Sequence, residues 1–327
     1  MTPLLSVRDL VKTFDIKGKG GGVRAVSHVS LDVQHGQTLG VVGESGSGKS
    51  TLGRLMLRLV EPSSGSITFD GKSLSGLAPR EVRRHRRDMQ MIFQDPLASL
   101  DPRMSVRNLI TEPLVIHRIG TNQEQSAKVR DIIERVGLSQ DALDRFPHEF
   151  SGGQRQRISI ARAIITMPKL IVADEPVSSL DVSIQSQILN LMLDLRRDLN
   201  LTYVFISHDL AVVQHIADTV AVMYLGEIVE MAPAGEIFNN PKHPYTQALI
   251  SAIPQIDTGQ RRERIVLSGD IPSPQNPPAG CHFHPRCPHA MSICSQEAPV
   301  PLVLQMPGEA LGTHTVSCHL YTPGSGA

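Results

Sequence analysis

The chain contains no tryptophan, and aromatic residues make up only 4% of its 327 residues. Platforms for single-stranded nucleic acid stack bases on aromatic side chains, so the sequence argues against that class of function. A surplus of positive charge is also missing, with 32 Lys and Arg set against 32 Asp and Glu, a formal net charge of zero. Nucleic-acid-binding domains usually carry a basic excess, so no nucleic-acid partner is expected. No apolar run reaches the roughly 18 residues that mark a membrane-spanning helix. Met1–Leu10 carries Arg8 and Asp9 and lacks the apolar core of a signal peptide, so a soluble, cytoplasmic chain is expected. Cysteine is absent before position 281.

Hydrophobic residues are abundant at 40%, too many for a disordered chain and enough for a sizeable core. At about 150 residues per domain, the length predicts roughly two domains, or one domain with an appendage. Composition breaks near residue 270. Pro272–Ala327 holds ten of the 23 prolines, five of the 13 histidines, all four cysteines and only three charges, Arg286, Glu297 and Glu309. Such a loop-rich segment lacks helical periodicity and needs a cross-link to hold one shape. In a reducing compartment its cysteines read first as metal ligands and only second as disulfides.

The preceding part alternates short apolar runs with amphipathic helices, the pattern of an α/β sheet domain. Val29, Leu31 and Val33 alternate with polar residues, whereas Leu39–Val42, Leu170–Ala173 and Val204–Ile206 are continuous runs that read as buried parallel strands. Val129, Ile132, Ile133 and Val136 mark one face of a helix that Gly137 can end. Ile188, Met192, Leu195 and Leu199 mark another. Arg83–Arg87, the one dense basic run, reads as a solvated helix face.

Three motifs carry chemistry. Gly43-Glu44-Ser45-Gly46-Ser47-Gly48-Lys49-Ser50 matches G-x-x-x-x-G-K-[ST], follows an apolar strand, and is continued by Thr51 into a helix. In that context the loop turns backbone N–H groups onto phosphates, Lys49 reaches the β- and γ-phosphates, and the Ser50 hydroxyl ligates Mg²⁺. The strand Leu170–Ala173 then delivers Asp174 and Glu175 at its C-terminal end. There Asp174 can hold Mg²⁺ and Glu175 can orient or deprotonate a water. Ser151-Gly152-Gly153-Gln154, opening a third helix, is a second anion site: a hydroxyl, free N–H groups and a helix dipole.

With Phe150, that last motif resembles the LSGGQ signature of ABC transporter nucleotide-binding subunits, and other landmarks of that family are in register. These are Gln94 in Phe93-Gln94-Asp95-Pro96, Asp181 after Ser179-Leu180, and His208 at the end of Tyr203–Ser207. The resemblance implies a P-loop α/β fold with an antiparallel β subdomain, an inserted helical subdomain at about 95–168 and a small cysteine-containing C-terminal appendage. It implies an ATPase in which Glu175, His208 and Gln94 serve catalysis, Ser50, Gln94 and Asp174 hold Mg²⁺, and Phe14 stacks on adenine. It also implies a head-to-tail dimer, with Ser151–Gln154 and the D-loop Asp181 facing ATP held by the Lys49 loop of the other subunit.

Asn240–Leu249 and Leu267–Pro274 resemble the extension of oligopeptide, dipeptide and nickel importer ATPases. The chain looks most like the second ATPase of a dipeptide importer, with domains at 1–255 and 256–327. The expected partners are a paralogous ATPase rather than an identical copy, two permease subunits at the cytoplasmic face of the membrane and, indirectly, an extracytoplasmic solute-binding protein. Short peptides are the expected cargo, with nickel or another small solute as the alternative. A nucleic-acid or ribosome-associated ATPase is a weaker alternative, since one cassette and zero net charge do not suit it. Cys281, Cys287, Cys294 and Cys318 follow neither zinc-ribbon nor ferredoxin spacing, so spacing alone does not choose a metal. The resemblance implies a structural [4Fe–4S] cluster distant from ATP. Zinc, with His282, His284 or His289 as further ligands, and no metal at all stay open beside it.

Overall fold

A computed structural model describes residues 2–15, 22–253, 265–304 and 313–322. The continuous apolar runs become the centre of its larger sheet. In chain order the strands are β1 (Leu5–Asp15), β2 (Gly22–Val33), β3 (Thr38–Val42), β4 (Ser64–Phe69), β5 (Lys72–Ser73) and β6 (Met89–Ile92). They continue with β7 (Leu170–Asp174), β8 (Thr202–Ser207), β9 (Thr219–Tyr224), β10 (Glu227–Pro233), β11 (Leu302–Leu304) and β12 (His314–Val316). Eight of them form a sheet in the order β11-β12-β10-β9-β3-β8-β7-β6, and four form a second sheet, β2-β1-β4-β5. Pairing is parallel from β9 to β6 and antiparallel at the β10–β12 edge. The second sheet is antiparallel throughout, as the family resemblance implied.

Every residue of β3, β7 and β8 is buried. Side chains of a strand alternate between its two faces, and here both faces are covered, which is why these strands read as unbroken apolar runs. Leu39, Val41, Leu170, Val172, Val204 and Ile206 pack in one core with the four-stranded sheet and the helix Lys49–Met56. Ile171, Ala173, Tyr203, Phe205 and Val222 face the other way, into the core shared with the remaining helices.

Between β6 and β7 the chain makes the helices Pro96–Ser99, Val106–Ile116, Asn122–Arg135 and Gly152–Ile164. Asn122–Arg135 shows how local the coding can be. Thr121 and Glu124 form a reciprocal capping box at its start, Val129, Ile132 and Ile133 are its buried stripe, and Gly137 takes φ 75° beyond its end. The domain boundary expected at 255/256 lies outside the described residues.

The appendage departs from expectation. Rather than standing off as a loop-rich unit, it joins the larger sheet: β12 pairs with β10 (Glu230 opposite Val316, Met231 opposite Thr315) and β11 adds to β12. Glu230, 1% exposed, anchors this edge. Its carboxylate lies 2.7 Å from Nε2 of buried His314 and accepts the backbone N–H groups of Lys242 (2.7 Å) and His243 (2.8 Å). A buried carboxylate is stable only when so fully partnered.

His243 caps the helix Pro244–Ser251, its Nδ1 accepting the Tyr245 N–H at 3.1 Å. Burial pushes the ring down to about 4 from an ordinary 6.5, with the Glu230 charge opposing. The unfolded chain therefore binds the extra proton between those values, so stability rises with pH there and is lost as pH falls from about 6.5 to about 4. The expected loss is on the order of 3 kcal/mol. Urea denaturation across this range should show a steeper acid-side decline in the wild type than in His243→Asn, which keeps a capping acceptor without a proton to gain. Parallel curves would remove His243 as the cause.

Candidate active site

The loop between β3 and the helix Lys49–Met56 is built so that no side chain can enter it from behind. A Cβ on Gly43 would strike the Met223 carbonyl of β9, and one on Gly48, which caps the helix at φ 101°, would strike the Ala25 carbonyl of β2. Two strands thus press on the loop from outside, at positions where only glycine fits. Lys49 is buried and donates to the carbonyls of Gly43 (2.8 Å) and Glu44 (2.9 Å). Burial lowers its pKa, opposed by Glu175, Asp174 and Glu44.

Because β3 and β7 both flank β8, their C-terminal ends come together with that of β8. The Ser50 hydroxyl donates to Asp174 Oδ1 at 2.7 Å, and Arg54 stands 3.9 Å from the other carboxylate oxygen. Burial raises the Asp174 pKa despite the Ser50 and Arg54 contacts. Glu175, just past β7, adopts a left-handed φ of 47°, a costly conformation for a non-glycine residue. Its Oε2 accepts the Gln94 amide at 3.0 Å and lies 3.2 Å from His208 Nδ1. The three catalytic candidates therefore meet at one carboxylate oxygen.

These groups surround a cavity of about 500 Å³ lined by Ser45, Lys49, Ser50, Gln94, Glu175 and His208 among others. Gly46, Gly48 and Thr51 also line it; Gly43, Glu44 and Ser47 are not part of the lining. Mg²⁺ takes oxygen ligands, commonly one or two from protein and the rest from phosphates and water. The adjoining oxygens of Ser50 and Asp174, with the Gln94 amide at the cavity wall, fit that donor set. Phe14 is 41% exposed near the end of β1, opposite the cavity-lining Val23, with the Lys12 ammonium 4.9 Å from its ring centre. Ser151–Gln154 do not line this cavity. Ser151 caps the helix Gly152–Ile164 reciprocally with Gln154, and Asp181 lies exposed at the start of Val182–Leu199.

One expectation needs correction. The Glu44 side chain is not part of the cavity lining and forms a paired salt bridge with Arg286 of the appendage, at 2.7 and 3.0 Å. The cysteine-bearing segment is consequently not remote from ATP, since Arg286 adjoins Cys287 and Pro274 of the same appendage lines the cavity. All four cysteines are free thiols. Burial pushes Cys281 and Cys318 up to about 11 and raises Cys287, and neighbouring cysteines add to each shift, so the thiols share one neighbourhood. Yet among the described residues no three His, Cys, Asp or Glu side chains are arranged to hold a metal ion. Neither the expected iron–sulfur cluster nor its zinc alternative has a formed ligand set here.

Sequence reading missed Arg286, Tyr245 and Pro274. The one available signal was that Arg286 is the only Lys or Arg between Pro272 and Ala327.

A phosphate-binding loop, an acidic pair at a strand end and a strand-end histidine on a parallel sheet define a P-loop nucleoside triphosphatase. The "ABC transporter" family model matches residues 26–178, and "Oligopeptide/dipeptide transporter, C-terminal region" matches 229–294. The oligopeptide transport ATP-binding protein AppF of Bacillus subtilis (strain 168) is 51% identical over 327 residues, covering 98% of each chain. A peptide import ATP-binding protein of Brucella ovis is 53% identical over 298 residues, covering 91% of this chain and 93% of that one. Among solved structures, the dimeric ATP-binding cassette MJ0796 bound to ADP and Pi is 26% identical with a TM-score of 0.63, over 68% of this chain and 96% of that one. CbiO1 of Clostridium perfringens is 27% identical with a TM-score of 0.65, over 73% and 92%. The chain belongs to the ABC transporter family of ATP-binding proteins and is an ABC ATPase.

Glu175→Gln should keep ATP binding, because Lys49 and the loop are untouched, and lower turnover by about 10²-fold or more, because an amide cannot accept the proton of an attacking water. Steady-state phosphate release and equilibrium nucleotide binding separate the two. Unchanged turnover would remove Glu175 as the base.

Proposed function

We propose that this ATPase powers the import of short peptides from the cytoplasmic face of a membrane, as one half of a dimer beneath two permease subunits. The observation that carries the reading is the extension itself: residues 229–294 match the C-terminal region of oligopeptide/dipeptide transporters. The names of the AppF and Brucella relatives support the same cargo. No described helix is long and apolar enough to cross a membrane. In this reading the translocation path belongs to the permease subunits. A paralogous ATPase is the favoured second half, and a solute-binding protein outside the membrane would deliver cargo.

The loop N–H groups and Lys49 hold the phosphates, and Phe14 offers a face to adenine. Ser50, Asp174 and Gln94 would hold Mg²⁺, which supplies neutralisation of phosphate charge when bound. Glu175 takes the proton of the attacking water, while His208 and Gln94 fix the direction of its carboxylate. Ser151–Gln154 and Asp181, away from the chain's own cavity, face the nucleotide of the other subunit, so closure needs ATP and hydrolysis releases it. A groove of about 230 Å³ between the sheet and the inserted helices, with exposed Leu59, Phe93 and Ile116 on its walls, is the candidate seat for cytoplasmic helices of the permease. It lies next to Gln94 in the sequence, which links docking to the acid pair.

A metal centre at the four cysteines is a separate question, because among the described residues no ligand set is formed there. Iron, sulfide and zinc analysis of anaerobically prepared protein decides it, and finding none removes it.

Cells lacking this chain should lose uptake of labelled di- and tripeptides, and the wild type should restore it where Ser151→Arg does not. The same variant should bind ATP normally as an isolated chain, because its lesion falls on the other subunit's site. Restored nickel uptake without peptide uptake would move the cargo to the alternative, and full activity of Ser151→Arg would overturn the shared site.

A further inference from the structure

Glu44 is held at three points. Its carboxylate takes both terminal nitrogens of Arg286, at 2.7 and 3.0 Å. Its backbone N–H donates to the Tyr245 hydroxyl at 2.9 Å, and its carbonyl accepts the Lys49 ammonium at 2.9 Å. The Arg286 side chain is 7% exposed and that of Glu44 24%, so water screens this pair only weakly. Beneath it lies an aromatic cluster. Phe283, 1% exposed, stands edge-on to Tyr224 (ring centres 5.3 Å apart), with Tyr245 at 5.4 Å and His243 at 5.5 Å. Arg286 lies 5.9 Å from the Tyr224 ring centre, and its Nη1 is 3.5 Å from the Tyr224 hydroxyl. Arg286 and Phe283 come from the appendage, Tyr245 from the helix Pro244–Ser251, and Tyr224 from the end of β9, whose Met223 carbonyl blocks Gly43.

The appendage thus grips the residue whose carbonyl seats the phosphate-binding lysine, Lys49. We infer that Arg286 is a positioning residue for nucleotide binding: through Glu44 it fixes the phosphate-binding loop, so the docked extension sets the affinity for ATP. This rests on the P-loop reading of residues 43–50. The loop backbone must present several N–H groups to one phosphate chain at once, so a small drift at Glu44 weakens all of those contacts together. The pair is not needed to build the loop, whose shape already follows from Gly43 and Gly48 packed against two strands. It restrains a loop that is formed without it.

The test is a double-mutant cycle on the full chain with Arg286→Gln, Glu44→Gln and both, read by equilibrium binding of a fluorescent ATP analogue and, in the assembled transporter, by KM and kcat for ATP. Each single change should weaken binding and raise KM by roughly tenfold, the scale of a close, partly buried charge pair, with a smaller change in kcat. The double variant should be no worse than the poorer single one, because each change removes the same interaction. Arg286→Lys, which keeps the charge and loses the paired geometry, should fall between. Wild-type affinity in both single variants, strictly additive losses, or a fall in thermal stability with KM unchanged would each overturn the inference. Glu44→Gln leaves the appendage sequence intact and guards against misfolding of that segment. Lys49→Ala tests the underlying reading separately: if it keeps full ATP binding, the P-loop assignment fails, whatever the cycle shows.

Discussion

A loop that binds phosphate with its backbone has to keep several N–H groups pointed inward with no hydrogen bonds of their own, and most of this fold serves that requirement. The loop cannot collapse onto strand β9 or strand β2, because Gly43 and Gly48 already lie against the carbonyls of Met223 and Ala25. The parallel order β9-β3-β8-β7 then brings the ends of β3, β7 and β8 side by side. Loop, acidic pair and histidine therefore meet because three buried strands end together. Asp174 pays for its place with a raised pKa, and Glu175 with a left-handed backbone. Strain and burial fall on the two carboxylates that have to act.

The elements proposed to face a second subunit are coupled to each other before any partner arrives. A Cβ on Gly153 would come within 2.6 Å of Ile184 on the helix Val182–Leu199, and one on Gly152 within 3.3 Å of Leu180. The signature turn is therefore packed tightly against the segment that carries Asp181. Val182, 78% exposed beside Asp181, is an apolar residue on that same face.

Much of the site was legible in the sequence because its parts are contiguous. Residues 43–51 state a loop and its helix in one line, Leu170–Glu175 states a strand and its acids in another, and Thr121, Glu124 and Gly137 bracket a helix. The appendage was not legible in the same way. β11 and β12 have three residues each, too few for alternation to show, and proline and histidine around them read as loop. The Glu44–Arg286 pair spans 242 positions, and nothing local in either residue names the other. The expectation that the cysteine segment stands apart from ATP had no local sequence signal against it, and tertiary packing overrode it.

The pairing of Glu230 with His314 bridges 84 residues, so it belongs to the order of events in synthesis as well as to the final structure. While β12 has not yet emerged, β10 is an open edge with its carboxylate unmatched on the histidine side, and an unpaired strand edge invites association with other chains. Docking of β12 closes that edge and satisfies the acid in one step. β12 follows every strand of the parallel core in the chain, so in synthesis this contact becomes available only after those strands have been made. Arg286 likewise lies beyond every strand of that core, so the phosphate-binding loop and the strands that shape it are all synthesised before the side chain that grips it.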